Sequence, residues 1–342
     1  MALRRIGGVV RLLSNVCAQQ RRLLYQDVGV IGFPFSKGQP QPGVRSGPAA
    51  IRNAGLIEKI HNLERDVKDY GDLDFEYIAD DPPYGLIKNP RNVGAANKKI
   101  SAAVSNVIND NRLCISLGGD HAMSIGTLHG HATARPDMCV LWIDAHVDIN
   151  TPLTSMTGNI HGTPVSFVVH ELKDYVPVLP GFEWMNTCIH AKDIAFIGVR
   201  DIDPGERYIM EKFGLVCYSI HDIDHLGLVE VLKRAMDNVN PNRDRPIHIS
   251  FDIDALDPLL AQSTGTPVYG GLTFREGMYI VEEVGSTGMV TGIDMVEVNP
   301  ELGTKFEQNV TVNTAVDVLT AALGKRRHGN IPTGYVLPKA KN

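Results

Sequence analysis

Three largely apolar runs in this chain each end in a cluster of carboxylates or histidine, and that pattern constrains the fold more than any other feature. Leu113 to Leu117 leads into Gly118-Gly119-Asp120-His121. Cys139 to Ile143 leads into Asp144-Ala145-His146-Val147-Asp148, and Ile247 to Phe251 leads into Asp252-Ile253-Asp254. Runs of this kind suit strands covered on both faces, as in a parallel sheet flanked by helices. Ligands of such sheets bind outside the carboxyl ends of the strands. The three clusters are therefore expected to open into one crevice.

The rest of the chain repeats the theme. Strands are expected at 28–33, 67–71, 113–117, 139–143, 193–198, 215–219, 247–251 and 289–294. Helices are expected at 48–64, 95–110, 162–172, 227–239, 273–286 and 311–324. Strand and helix in alternation give an α/β fold, one parallel sheet with helices on both faces. No linker-like change of composition interrupts residues 27–325, which read as a single catalytic domain. Beyond Lys325-Arg326-Arg327-His328, with Pro332 and Pro338, residues 326–342 read as an irregular tail.

Composition excludes some functions. A net charge of −6 and a pI near 6.1 argue against nucleic acid as a partner. No apolar stretch approaches the ~20 residues that span a bilayer. Five widely spaced cysteines without a C-x-x-C pair indicate a reduced, intracellular protein. Residues 1–26 carry five arginines and no acid, the composition of a mitochondrial transit peptide. The alternative is a disordered basic tail, which would leave the protein cytoplasmic. Without these residues 28 basic groups face 39 acidic ones, a net of −11.

Six residues of metal-ligating type fall at the three strand ends: His121, Asp144, His146, Asp148, Asp252 and Asp254. Alternate residues of an extended segment face the same way, so Asp144, His146 and Asp148 can converge, as can Asp252 and Asp254. A lone aspartate at such a place is usually a cap or a turn residue; six together are not. Carboxylates with a few imidazoles suit a hard, Mn²⁺-like ion. So many anions call for two ions, which can lower the pKa of a shared water until hydroxide exists near neutral pH. His161, if close to the metals, suits proton transfer to a leaving amine, although spacing alone slightly favours a structural histidine at a helix start. Glu297, ending the last strand run, could pair with a planar cation such as guanidinium, or simply cap a helix. Asp203 could do no more than cap the helix that Pro204 opens. Thr266 lies in a turn, Thr264-Gly265-Thr266-Pro267, near the second cluster. His129, His131, His170, His190 and His248 have no comparable context and read as surface or packing residues.

Gly118-Gly119-Asp120-His121, the segment from Trp142 to Pro152, Gly158-Asn159-Ile160-His161-Gly162 and the segment from Ser250 to Pro258 closely resemble the arginase/ureohydrolase family, in order and from about Val28 to about Leu323. The match is nearest to animal-type members, and the leader is similar to that of the mitochondrial form. The resemblance implies a three-layer α-β-α sandwich with a mainly parallel eight-stranded sheet, two Mn²⁺ per subunit and a homotrimer. It implies His121 and Asp148 on one manganese, His146 and Asp254 on the other, and Asp144 and Asp252 bridging both. A metal-bridging hydroxide would then convert L-arginine to L-ornithine and urea. His161, Asp148 and Glu297 form the implied catalytic set, with His161 as proton shuttle and Glu297 facing the guanidinium. Asn150, Ser155 and Thr157 would recognise the α-carboxylate and Asp203 the α-amino group, with Thr266 lining the pocket. Arg275-Glu276 would lie at the trimer interface. An agmatinase or another guanidino-compound hydrolase is the alternative, and a non-catalytic protein of the same fold is a third reading. Val147, Met156, Gln262, Gln41 and Arg45 depart from the family pattern without removing a ligand.

Overall fold

The computed structural model describes residues 27–338 and 340. The expected transit peptide lies outside them. Eight strands, β1 (Asp27–Gly32), β2 (Val67–Asp72), β3 (Arg112–Leu117), β4 (Cys139–Ile143), β5 (Ile194–Val199), β6 (Val216–Ser219), β7 (Ile247–Asp252) and β8 (Val290–Val296), form one sheet. Their order is β2-β1-β3-β8-β7-β4-β5-β6, with every neighbouring pair parallel. The eight expected strands are the eight observed.

Side chains of β4 show why both sheet faces are covered. Cys139, Leu141 and Ile143 pack into one apolar cluster, while Val140 and Trp142 pack into another. All five are fully buried. The helices closing the two faces carry the complementary stripes. Leu228–Val239, for example, buries Val231, Leu232, Ala235, Met236 and Val239, one face at helical spacing.

Several helices differ from expectation for local reasons. The stretch 48–64 is two helices, α1 (Gly47–Asn53) and α2 (Leu56–His61), broken at Gly55, whose φ of 86° is left-handed. Helix α3 (Pro90–Asn109) starts earlier than expected, with Pro90 in its first turn. The stretch 162–172 is not one helix. Only α5 (Pro164–Val168) is helical, because β-branched Val169 leaves the helix to bridge Ile189, and a 3-10 turn follows at His170–Tyr175.

Two helices went unforeseen, the short Ile220–Leu226 and α4 (Ser124–Ala134); α4 carries two glycines and no clean apolar stripe. Its glycines explain the sequence. A Cβ on Gly130 would stand 2.3 Å from Ser101 O and one on Gly126 2.6 Å from Asn97 O, so α3 and α4 touch backbone to backbone. Helices α6 (Pro204–Phe213), α7 (Ile220–Leu226), α8 (Leu228–Val239), α9 (Phe274–Ser286) and α10 (Lys305–Ala322) complete the set. Among the described residues, no helix is long and apolar enough to cross a membrane.

Candidate metal centre and substrate cleft

The carboxyl ends of β3, β4, β7 and β8 are neighbours in the sheet, and their extensions meet. His121 begins a 3-10 turn after β3, with Asp120 as its cap; the Asp120 carboxylate accepts Ala122 N–H at 3.1 Å. His121 Nδ1 lies 3.1 Å from Asp144 Oδ2, 3.1 Å from Asp148 Oδ2 and 3.2 Å from Asp252 Oδ2. His146 Nδ1 lies 3.4 Å from Asp144 Oδ1 and 3.3 Å from Asp254 Oδ2. Asp144 thus turns one oxygen to each histidine. Two groups able to hold a metal result, His121 with Asp144 and Asp252, and Asp144 with His146 and Asp254.

The geometry fits metal ligation better than hydrogen bonding. His121 Nδ1 is buried and makes no hydrogen bond of acceptable geometry despite its three carboxylate neighbours. Its other nitrogen, Nε2, pairs with Ser250 Oγ at 2.9 Å, and the ring stacks on Trp142 with centroids 4.2 Å apart. The Ser250 hydroxyl can accept from Nε2–H, and in that tautomer Nδ1 carries a lone pair facing the carboxylates. Trp142 Nε1 donates to Asp144 Oδ2 at 3.0 Å, and Thr266 donates to Asp254 Oδ2 at 3.1 Å.

The charges favour bound cations. Burial, then the charges of Asp254 and Asp144, raises Asp252 well above the usual carboxylate range. Burial, followed by Asp144, raises Asp254 and takes Asp148 up to about 6. Burial also acts against Asp144, but the close imidazoles of His121 and His146 outweigh it and hold Asp144 low. Four carboxylates this close favour bound cations strongly. These observations support a binuclear metal site.

The remaining expected residues gather around a cavity of about 180 Å³ above the cluster. His146, Asp148 and Asp252 form its floor, and Asn150, Ser155, Thr157, His161, Asp203 and Thr266 line its walls. Glu297 is buried at its edge: Oε1 accepts His121 N–H at 2.8 Å and lies 3.2 Å from His161 Nδ1. Asp148 and Glu297 both have left-handed backbone, φ 47° and 59°, an uncommon conformation for non-glycine residues and one that the surrounding structure must hold in place. His161 is the middle residue of a 3-10 turn, Ile160–Gly162, rather than the start of a helix, and its N–H donates to Gly38 O at 3.0 Å. Burial lowers the basicity of His161, but Glu297 more than offsets this, so its pKa is raised.

Hydroxyls on the loop after β4 are arranged as donors. Ser155 Oγ accepts Gly158 N–H at 3.1 Å and Thr157 Oγ1 accepts Asn159 N–H at 3.2 Å, which leaves both O–H groups free for a ligand. Asn150 accepts from Thr154 and donates to Asp203 Oδ2 at 2.9 Å, joining this loop to the start of α6. The departures from the family pattern are absorbed: Val147 is buried in the cluster around Trp142, and Met156, 83% exposed, sits at the rim.

Four functional supports escaped the sequence reading. Glu206, third in α6, accepts Ile149 and Asn150 N–H through one oxygen and Asp203 N–H through the other, and burial pushes its carboxyl up to about 7. Its position three residues after Asp203, a capping-box spacing, was the available signal. Asp120 accepts Gly38 N–H at 2.8 Å and so carries the segment that holds His161. Arg200 donates to Asp254 O at 2.7 Å and to Val268 O, pinning the turn that bears Asp254. Ser250 was invisible as a support because its role depends on a residue 129 positions away.

Comparison with known proteins is consistent with this geometry. Residues 26–324 match the family model described as Arginase family. The chain is 52% identical over 315 residues to Arginase-1 of Bos taurus, covering 92% of this chain and 98% of the relative. It is 50% identical over 331 residues to "Arginase-2, mitochondrial" of Homo sapiens, covering 96% and 93%. The crystal structure of arginase from Bacillus caldovelox superposes with a TM-score of 0.80 at 34% identity, covering 88% of this chain and 99% of that one.

Proposed function

The chain belongs to the arginase family, and from that premise we propose that it hydrolyses L-arginine to L-ornithine and urea with two manganese ions. The observation that carries this reading is the pair of histidine–carboxylate groups sharing Asp144 at the floor of a cleft walled by hydrogen-bond donors and acids. His121, Asp144, His146, Asp148, Asp252 and Asp254 would hold the two ions. Oxygen-rich ligation favours manganese over softer ions. Bound there, the ions supply Lewis-acid charge that brings a shared water to ionisation near neutral pH.

The chain's own residues do the rest. Glu297 Oε2 makes no hydrogen bond among the described residues and is available to the planar guanidinium. Water adds to the guanidinium carbon. The bond from that carbon to the side-chain nitrogen then breaks with its electron pair leaving on nitrogen, and His161 delivers the proton that makes this nitrogen the amine of ornithine. Urea keeps the oxygen from water. Ser155 and Thr157 donate to the α-carboxylate, and Asp203 accepts from the α-amino group.

Urea release from L-arginine and agmatine, compared on Mn²⁺-loaded protein, tests the reading. Arginine alone should yield urea at a useful rate. Preference for agmatine would keep the hydrolytic chemistry and overturn the assignment of the 150–157 loop. Activity that survives complete chelation of metal would overturn the manganese assignment.

The same reading extends to assembly and place. The subunits form a homotrimer with Arg275 at the interface, which sedimentation of Arg275→Ala tests. Residues 1–26 direct the protein to the mitochondrial matrix, a reading supported by the human relative's name and tested by fractionation of cells expressing the chain with and without them.

A further inference from the structure

Away from the cleft, two segments run side by side. Val169 and Ile189 form a parallel bridge, and His170 N–H donates to Ile189 O at 2.9 Å. Cys188 and Ile189 N–H both donate to Val168 O. His170 and His190, each one residue beyond a bridge partner, are therefore held together, with ring centroids 4.5 Å apart and planes tilted by 50°.

Each ring is fixed by the same nitrogen. His190 Nδ1–H donates to Glu171 Oε1 at 3.1 Å, and His170 Nδ1 pairs with Thr187 Oγ1 at 2.8 Å. Glu171 is fixed in turn, since its Oε2 accepts Ala191 N–H at 2.9 Å. A neutral histidine whose Nδ1–H donates to a carboxylate, as in His190, presents Nε2 as a lone pair, the device that orients metal-binding imidazoles, and the Thr187 hydroxyl can accept from His170 Nδ1–H in the same way. Neither Nε2 has a hydrogen-bond partner among the described residues, and both side chains are exposed.

We propose that His170 and His190 form a second metal site, remote from the catalytic pair, that takes one imidazole-preferring divalent ion of the Zn²⁺ type through their two Nε2 atoms, with water completing the coordination. Imidazole suits zinc, nickel and copper, whereas manganese suits carboxylate oxygen, so donor chemistry separates the two sites. Burial and the neighbouring His190 lower the proton affinity of His170, which keeps a ligand imidazole neutral at neutral pH. The other close exposed pair, His221 and His225 on α7, has centroids 4.7 Å apart but no hydrogen bond holding either ring among the described residues. That pair would have to be ordered by the metal itself.

The test titrates Zn²⁺ into the Mn²⁺-loaded full chain and counts both metals after dialysis. The wild type gains about one zinc per chain and keeps its manganese. His170→Gln and His190→Gln each lose that zinc while releasing urea at the wild-type rate. Glu171→Gln, which keeps both ligands but weakens the orienting bond, lowers zinc affinity about 10- to 100-fold. Four results overturn the site: no zinc gained; zinc gained only as manganese is lost; undiminished uptake by His190→Gln; or loss of uptake in His225→Gln.

Discussion

Glu297 Oε1 lies 3.2 Å from His161 Nδ1 while accepting the main-chain N–H of His121 at 2.8 Å. One oxygen therefore links the proposed proton donor to the backbone of a proposed metal ligand. The contact ties His161 to the ends of β3 and β8, which are adjacent in the sheet, in addition to its main-chain bond to Gly38.

His161→Asn should lower kcat by roughly 10²–10⁴-fold, the usual range for losing a general acid, with a smaller effect on KM. Steady-state kinetics together with a manganese count make the check. Unchanged kcat with metal retained would remove the proton-transfer role.

Glu297 raises the pKa of His161, so the imidazolium survives to higher pH than it would alone. Glu297→Gln removes that charge. The pH at which the donor loses its proton should fall, and the alkaline limb of the kcat profile should move to lower pH. A limb that stays in place would show that another group controls it.

Asp252→Ala should nearly abolish turnover and lower the manganese content. The carboxylate is buried, with Oδ2 3.2 Å from His121 Nδ1, and its loss leaves bound cations with too little compensating charge. Metal analysis and urea release on the same preparation decide it.

Ser155→Ala should raise KM for L-arginine by about 10- to 100-fold, the cost of one hydrogen bond to a charged group. Turnover of agmatine, which has no carboxylate, should not change. Gly158→Ala attacks the same loop through its backbone. Gly158 has φ 70°, and an added Cβ would fall 1.7 Å from Leu86 O. The left-handed residue alone costs about 1–2 kcal/mol, so both a lower Tm and a higher KM are expected.

His131 is buried against His248, with Nδ1 atoms 2.9 Å apart, and burial followed by the His248 and Arg135 charges lowers its pKa far below the usual value. The folded chain keeps it neutral. The unfolded chain protonates it near pH 6.5. Its contribution to stability is thus complete above that pH and is lost as pH falls below it, at up to about 1.4 kcal/mol per pH unit. Urea unfolding of wild type and His131→Gln between about pH 7 and pH 5 should give a shallower pH dependence in the variant.

What could be read in the sequence followed from local physics. Largely apolar runs marked seven of the eight strands, the polar edge strand β2 being the exception, and ligand-type residues at three strand ends marked the candidate metal cluster. These signals lie within a few residues of one another. Helix α4 was not legible, because its glycines are explained only by the α3 backbone they touch. The breaks at Gly55 and Val169 depend on turn geometry and on Ile189, which is distant in sequence. His131 and His248 read as isolated histidines, yet they meet each other and Asp294 inside the fold.

The sequence by itself determined the kind of sheet and placed ligand-type residues at three strand ends, since burial and coordination chemistry are written in residue type and short spacing. Only the tertiary structure decided which strands are neighbours. That order brings Asp144 between His121 and His146, Glu206 beneath Asn150 and Asp203, and Asp120 against Gly38. Such contacts join residues tens to more than a hundred positions apart, and they follow from how helices and strands pack, a choice that no local pattern encodes.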